Sequence, residues 1–135
     1  MAINVDFRKL QISRKYTRAD LARLWGYKSH EALVRGVVGP AGSPYLILFV
    51  TLNKAETQPQ YRDELRGRTL IMEGENGHGS DDRLANCTLT GDEVHLFLRE
   101  NARDAFVYRG QIRLVHHEFR RDEPSIFVFS LPKVS

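Results

Sequence analysis

The chain has 135 residues, 41% of them hydrophobic and 27% charged, which is the balance of one folded domain with a true core and not of a disordered or fibrous segment. Its formal charge is +3, and 15 of its 20 lysines and arginines are arginine, a side chain whose planar fork suits phosphate. The longest apolar run, Tyr45 to Val50, is too short to span a bilayer, and the single cysteine, Cys87, excludes an internal disulfide.

Residues 1–15 read as a lead-in in which Ile3 to Ile12 alternates loosely, either as an edge strand or as an ordered approach. Met1 to Asp6 has neither the basic nor the apolar region of a secretory signal, so a cytoplasmic protein is expected. Residues 16–36 read as a helical cap. Thr17 can cap a helix with Asp20 as the reciprocal carboxylate, Leu21, Leu24 and Trp25 fall at helical spacing, and Gly26 stops it. Ser29 can cap a second, shorter helix through Val34, ended by Gly36. A helix-turn-helix reading fails because that second helix is too short to enter a major groove and β-rich sequence follows it. The better reading is a cap that buries Trp25 against a sheet.

Residues 37–131 read as a β-rich core. After the turn cluster Gly39 to Pro44, Tyr45 to Thr51 is unbroken and apolar, as expected of a central strand buried on both faces. Asn53 to Gln60 reads as a loop, Thr69 to Glu73 as a strand, and Glu75 to Asp82 as a mobile loop. Strands are then expected at Val94 to Arg99, Phe106 to Leu114 and Ser125 to Leu131, with polar exits at Asn101 to Asp104 and Glu118 to Pro124. Gly110 inside its strand points to a bulge or a close backbone approach. Five or more strands without intervening helices make an α+β protein: a curved, mostly antiparallel sheet or small β-barrel with an N-terminal helical cap.

The sequence carries little that specifies catalysis. The five histidines (His30, His78, His95, His116, His117) have no zinc-motif spacing, and no nucleophile elbow or phosphate-cradling glycine loop is present. Cys87 reads as a small core or loop residue. No metal, cofactor or catalytic residue is expected. The stretch Tyr61 to Glu75 is the exception to this blandness, because an aromatic, several carboxylates and arginines flank one short strand.

Several short motifs occur in a telling order: Tyr16-Thr17-Arg18, Gly36, the Ile47 to Thr51 strand, the Tyr61-Arg62-Asp63-Glu64 loop, Gly67, the strand to Gly74, the Asp82 region, His95-Leu96-Phe97 and Tyr108-Arg109-Gly110. Over Tyr16 to Leu131 the chain resembles the SRA and wider PUA-like domains that read modified bases, of the kind appended to bacterial helicases and restriction nucleases. The resemblance implies a non-catalytic module that binds double-stranded DNA and extrudes a modified base, a modified cytosine being the expected one, beside a nuclease or helicase partner. Carried over, Tyr61 is the pocket aromatic, Asp63 or Glu64 the base-reading carboxylate, and Met72 stands where a second aromatic belongs, with Glu73 beside it as an alternative polar reader. Tyr45 is expected to line the concave face, and His95 to be either a reader or a hydrogen-bonded sheet residue. Arg66, Arg68, Arg83, Arg99 and Arg109 are the expected phosphate contacts. Two other readings stay open: a PUA-like module for RNA or a small polar ligand, and a small hydrolase using Asp63, Glu73 and a divalent cation.

Overall fold

The computed structural model describes residues 3–40, 42–53, 63–74 and 79–133. The chain begins with a short strand β1 (Lys15–Tyr16), helix α1 (Arg18–Trp25) and a single 3-10 turn (His30–Leu33). It continues through β2 (Val37–Val38), β3 (Tyr45–Asn53), β4 (Glu64–Arg66) and β5 (Thr69–Glu73). Two short helices, α2 (Asp81–Ala85) and α3 (Cys87–Thr90), precede β6 (Glu93–Asn101), β7 (Phe106–Glu118) and β8 (Ile126–Ser130).

The strands form one open sheet in the order β2-β3-β6-β7-β8-β5-β4, with β1 paired to the start of β7. Among the described residues, only β3 and β6 run parallel; every other pairing is antiparallel. The order ends on β2 and β4, so among the described residues the sheet does not close into a barrel.

Burial of β3 and β6 on both faces explains their composition, since a strand with no wet face has no place for the polar half of an alternating pattern. One face carries Ile47, Phe49 and Phe97, packed with Leu21, Ala22 and Trp25 of α1 and with Phe7 and Leu10 of the lead-in. The other face carries Leu46, Leu48, Val50, Leu96 and Leu98, packed with Leu70, Met72, Phe127 and Phe129 of the β5–β8 layer and with Leu84 of α2. Cys87 belongs to this second core, where burial pushes its thiol pKa up. The result is a cap, a central sheet and a folded-back sheet joined by β7.

Strand β7 makes that join by bending. Its first half pairs with β6 and its second half with β8, and the ladder slips at Leu96/Phe97 and again at Leu114/His116. Gly110 sits at the first slip with φ of +88°, and a β-carbon there would stand 2.9 Å from Ile12 Cδ1. The bulge and the close approach expected of this glycine thus both occur, and left-handed backbone with a neighbour at that distance admits only glycine without strain.

The helical cap follows its sequence signals. Thr17 accepts from the Asp20 amide at 3.0 Å while the Asp20 carboxylate accepts from the Thr17 amide at 2.9 Å, a closed capping box, and Gly26 ends α1 in the left-handed region. Ser29 caps the next segment, which is one 3-10 turn and not a helix of two turns. Leu24 is exposed and Ala22 takes the inward place expected for it. Residues 3–12 form no strand but are tied to the cap: Asn4 donates to the Trp25 carbonyl and the Trp25 indole donates to the Asp6 carbonyl.

Two further expectations need correction. Helices do intervene between strands, because α2 and α3 occupy the β5–β6 connection. The segment expected to be a mobile loop through Asp82 instead ends in helix, with Asp81 buried; its residues 75–78 lie outside the described part. Asp81 packs on Gly74, where a β-carbon would meet Asp81 Oδ1 at 2.6 Å and the Phe127 ring at 3.0 Å. Gly74→Ala is therefore expected to destabilise the fold by about 1–3 kcal/mol through overpacking, measured as a shift in the urea midpoint at unchanged m-value.

Candidate functional site

Alternation along β5 decides which of the expected pocket residues can act together. Leu70 and Met72 point into the core, so Thr69, Ile71 and Glu73 must point the other way. The register of β4 on β5 places Glu64 opposite Ile71, and that of β5 on β8 places Ile126 opposite Glu73. Asp63, just ahead of β4, accepts the Glu73 amide on its Oδ1 at 3.2 Å.

These residues surround a hollow of about 520 Å³ lined by Leu52, Asp63, Glu64, Ile71, Glu73, Arg120 and Ile126. The volume lies in the range of small-molecule sites. Among the described residues, three carboxylates line it beside walls of Leu52, Ile71 and Ile126, with one cation, Arg120, at its edge. Arg120 Nη1 stands 4.0 Å from Glu73 Oε2 and 3.3 Å from Glu123 Oε2. Glu64 is drawn toward Arg66 Nε at 2.7 Å across the exposed start of the hairpin, in which Arg68 is also exposed. Arg120 is a member that the sequence did not suggest, since nothing local marks a residue brought in by the β7–β8 connection.

A second hollow, of about 650 Å³, adjoins the first at Leu52 and also contains Leu65 and Leu98. Its polar lining includes Lys15, Arg99 and Arg109, with Glu100 and Asp104. Asp104 turns its carboxylate back to the Asn101 amide at 3.2 Å, and its own carbonyl accepts from Arg99. Arg99 also donates to Thr51 Oγ1 at 2.8 Å and lies over Phe106, with Cζ 4.2 Å from the ring centroid. Burial lowers the pKa of this guanidinium, and the nearby Asp104 partly opposes the shift. Arg109 occupies the position between Tyr108 and Gly110 where the β6–β7 register slips.

The other expected contacts are dispersed. Met72 is a core residue, paired with Phe127 on β8 and buried among apolar side chains, so it offers no surface to a base. His95 is sealed: Phe7 stacks on it at 3.6 Å between centroids, Nδ1 meets the Tyr108 hydroxyl at 2.7 Å, and Nε2 meets Glu93 Oε1 at 2.9 Å. A neutral imidazole satisfies both neighbours, with Nε2–H donating to Glu93 and Nδ1 accepting from Tyr108. Tyr45 packs edge-on to Phe7 at 5.1 Å near His95, at the opposite end of β3 from Leu52. Neither Tyr45 nor His95 shares the hollow of Glu73.

Arg83 is not placed for phosphate. It clamps the β3 entry by donating to the Ser43 carbonyl at 2.9 Å and the Tyr45 carbonyl at 3.2 Å, while pairing with Asp92 at 3.2 Å. Tyr61 lies outside the described residues. Of the expected set, Asp63, Glu64 and Glu73 converge on one hollow, and Arg99 and Arg109 on its neighbour.

Residues 10–126 match the family described as a domain of unknown function (DUF3427). No curated protein matches the chain. Among the described residues, no helix is long and apolar enough to cross a membrane.

Proposed function

Because the chain belongs to the DUF3427 family, a domain of unknown function, we propose its role from the two hollows: a non-catalytic module that reads a modified base extruded from double-stranded DNA. The observation that carries this reading is the junction at Leu52 of a carboxylate-lined hollow with one containing Lys15, Arg99 and Arg109. An extruded nucleotide presents the complementary pair, a base rich in donors and acceptors beside an anionic backbone. Asp63 and Glu73 are acceptors suited to the exocyclic amine of a cytosine, while Leu52, Ile71 and Ile126 cover its faces. Extrusion costs a few kcal/mol, which contacts from Arg99, Arg109 and Lys15 to the flanking phosphates offset. This is the chemistry of the SRA and PUA-like domains that the sequence resembles, and on that likeness the domain serves as the specificity element beside a nuclease or helicase.

The test is anisotropy titration of the chain with duplexes that differ only in one cytosine: unmodified, 5-methyl, 5-hydroxymethyl or glucosylated. Wild type is expected to prefer one modified duplex. Glu73→Gln and Asp63→Asn, which keep side-chain size, are expected to reduce the preference by about 1–3 kcal/mol while unmodified duplex still binds. Arg109→Gln is expected instead to weaken all duplexes alike and to lower the salt slope by about 1. Equal binding of every duplex by wild type, or preference retained in both carboxylate variants, overturns the base-reading assignment. Tighter binding of a structured RNA than of any duplex overturns DNA as the ligand.

A further inference from the structure

The Phe106 ring carries a second guanidinium. Arg18, the first residue of α1, places its Cζ 4.9 Å from the Phe106 centroid and 4.7 Å from that of Phe49, so Arg18 and Arg99 bear on one aromatic side chain. Their assigned hydrogen bonds go to neutral oxygens: Arg18 Nε to the Leu33 carbonyl, Arg99 Nε to Thr51 Oγ1 and Arg99 Nη1 to the Asp104 carbonyl. Among the described residues, no carboxylate stands within ion-pair distance of either guanidinium.

Between them lies a third hollow, of about 340 Å³, whose lining includes Thr17, Arg18, His30, Arg99, Arg103 and Phe106, and also Asp104, whose carboxylate is engaged by the Asn101 amide at 3.2 Å. Burial and the charge of Arg99 lower the pKa of Arg18 to about 10, which still leaves it charged at neutral pH. Two half-buried like charges held by aromatic rings and carbonyls are a costly arrangement for the protein alone, and an anion between them removes the cost. Each guanidinium retains terminal N–H donors beyond those already used, and the fork geometry matches two oxygens of one tetrahedral anion.

We propose that Arg18 and Arg99, with Arg103 and His30 at the rim, form a clamp for a phosphate dianion, either free phosphate or the terminal phosphate monoester of a nucleotide chain. The clamp is separate from the base hollow, and Arg18, unlike Arg99, lines only this one of the three hollows. Phosphate binding is read without any oligonucleotide, so it stands or falls independently of base recognition.

Calorimetric titration of the full chain with sodium phosphate, at ionic strength held constant with sodium chloride, is expected to give saturable binding with one phosphate per chain. Arg18→Gln is expected to weaken it about 10- to 100-fold, the loss of one charge-assisted bidentate contact. Since Arg18 also packs on two rings, Arg103→Gln at the exposed rim provides a second test, expected to weaken phosphate about threefold with the thermal midpoint unchanged. Absence of saturable binding by wild type, or wild-type affinity in both variants, overturns the clamp. A 5′-phosphorylated trinucleotide that binds more tightly than phosphate, when its 5′-hydroxyl counterpart does not, identifies a nucleic-acid end as the source. Equal affinity for the phosphorylated trinucleotide and phosphate identifies the free ion.

Discussion

Trp25→Ala is expected to remove about 3–5 kcal/mol of unfolding free energy, the largest loss anticipated from any single truncation in the cap. The indole ends α1 with 1% of its surface exposed, edge-on to Phe7 at 5.4 Å and to Phe97 at 6.4 Å. Its Nε1–H donates to the Asp6 carbonyl at 3.2 Å, and its own backbone carbonyl accepts from the Asn4 amide at 2.8 Å. The side chain therefore joins three parts at once: the helix, the central sheet and the lead-in. Truncation leaves a cavity and deprives the partly buried Asp6 carbonyl of its indole donor, and it loosens the Phe7 ring that covers His95. Because Trp25 is the only tryptophan, urea unfolding of wild type and variant should be followed by far-UV circular dichroism. A loss below about 1 kcal/mol would show that the cap contributes little to the stability of the sheet.

The second large effect is an acid-induced loss of stability centred on His95. Burial lowers the pKa of its imidazole, and the Glu93 carboxylate beside Nε2 opposes that shift without reversing it. A histidine whose pKa is depressed on folding binds fewer protons in the folded state than in the unfolded one once the pH falls below about 6.5. Stability attributable to His95 is thus complete above the unfolded pKa and is lost as the pH falls from there through the folded one. The slope approaches about 1.4 kcal/mol per pH unit while the unfolded histidine is charged and His95 is not. The groups that face it are Phe7, Tyr45, Tyr108 and Glu93, of which Glu93 is the acidic side chain. Tyr108 keeps its proton, its pKa being raised by burial and by Glu93. Denaturant melts from pH 7.5 to 5 are expected to show the slope in wild type and to lose it in His95→Phe. That variant is also less stable at pH 7.5, because the Tyr108 hydroxyl then has no imidazole partner. The same pH slope in both proteins would assign the acid sensitivity to other histidines.

Much of the local structure was legible because its causes are local. A hydroxyl three residues before a carboxylate makes a capping box wherever the chain lies, and Thr17 and Asp20 make one here. An unbroken apolar run cannot be an exposed strand, so β3 was readable from Tyr45 onward, and β8 followed from Ile126 to Phe129 in the same way. The two short helices between β5 and β6 were missed because four- and five-residue segments carry too few turns for a periodic signal.

The site was less legible, and one error has a simple physical source. Met72 and Glu73 are neighbours in sequence and look like joint members of a pocket, but a strand sends successive side chains to opposite faces. Only one could face a ligand, and the hydrophobic layer beneath β5 claims the methionine. Arg18 is the opposite case: helical periodicity places it on the polar face of α1, yet its long stem carries the guanidinium back over Phe49 and Phe106. Arg83 has the composition of a phosphate contact and the geometry of a backbone clamp.

The sequence by itself therefore determined the order of cap and sheet, the two-faced burial of the central strand, the bulge at Gly110 and the carboxylates beside β5. Each depends on steric rules or on a hydrophobic pattern that acts within a few residues. Only the tertiary structure decided that the sheet stays open, that Asp63 and Glu73 meet across a hairpin, that Arg120 joins them, and that Arg18 and Arg99 bear on the same ring. Those juxtapositions come from strand order and from the bend in β7, which bring together residues separated by as much as 88 positions, as Arg18 and Phe106 are. No local propensity encodes a distance of that kind.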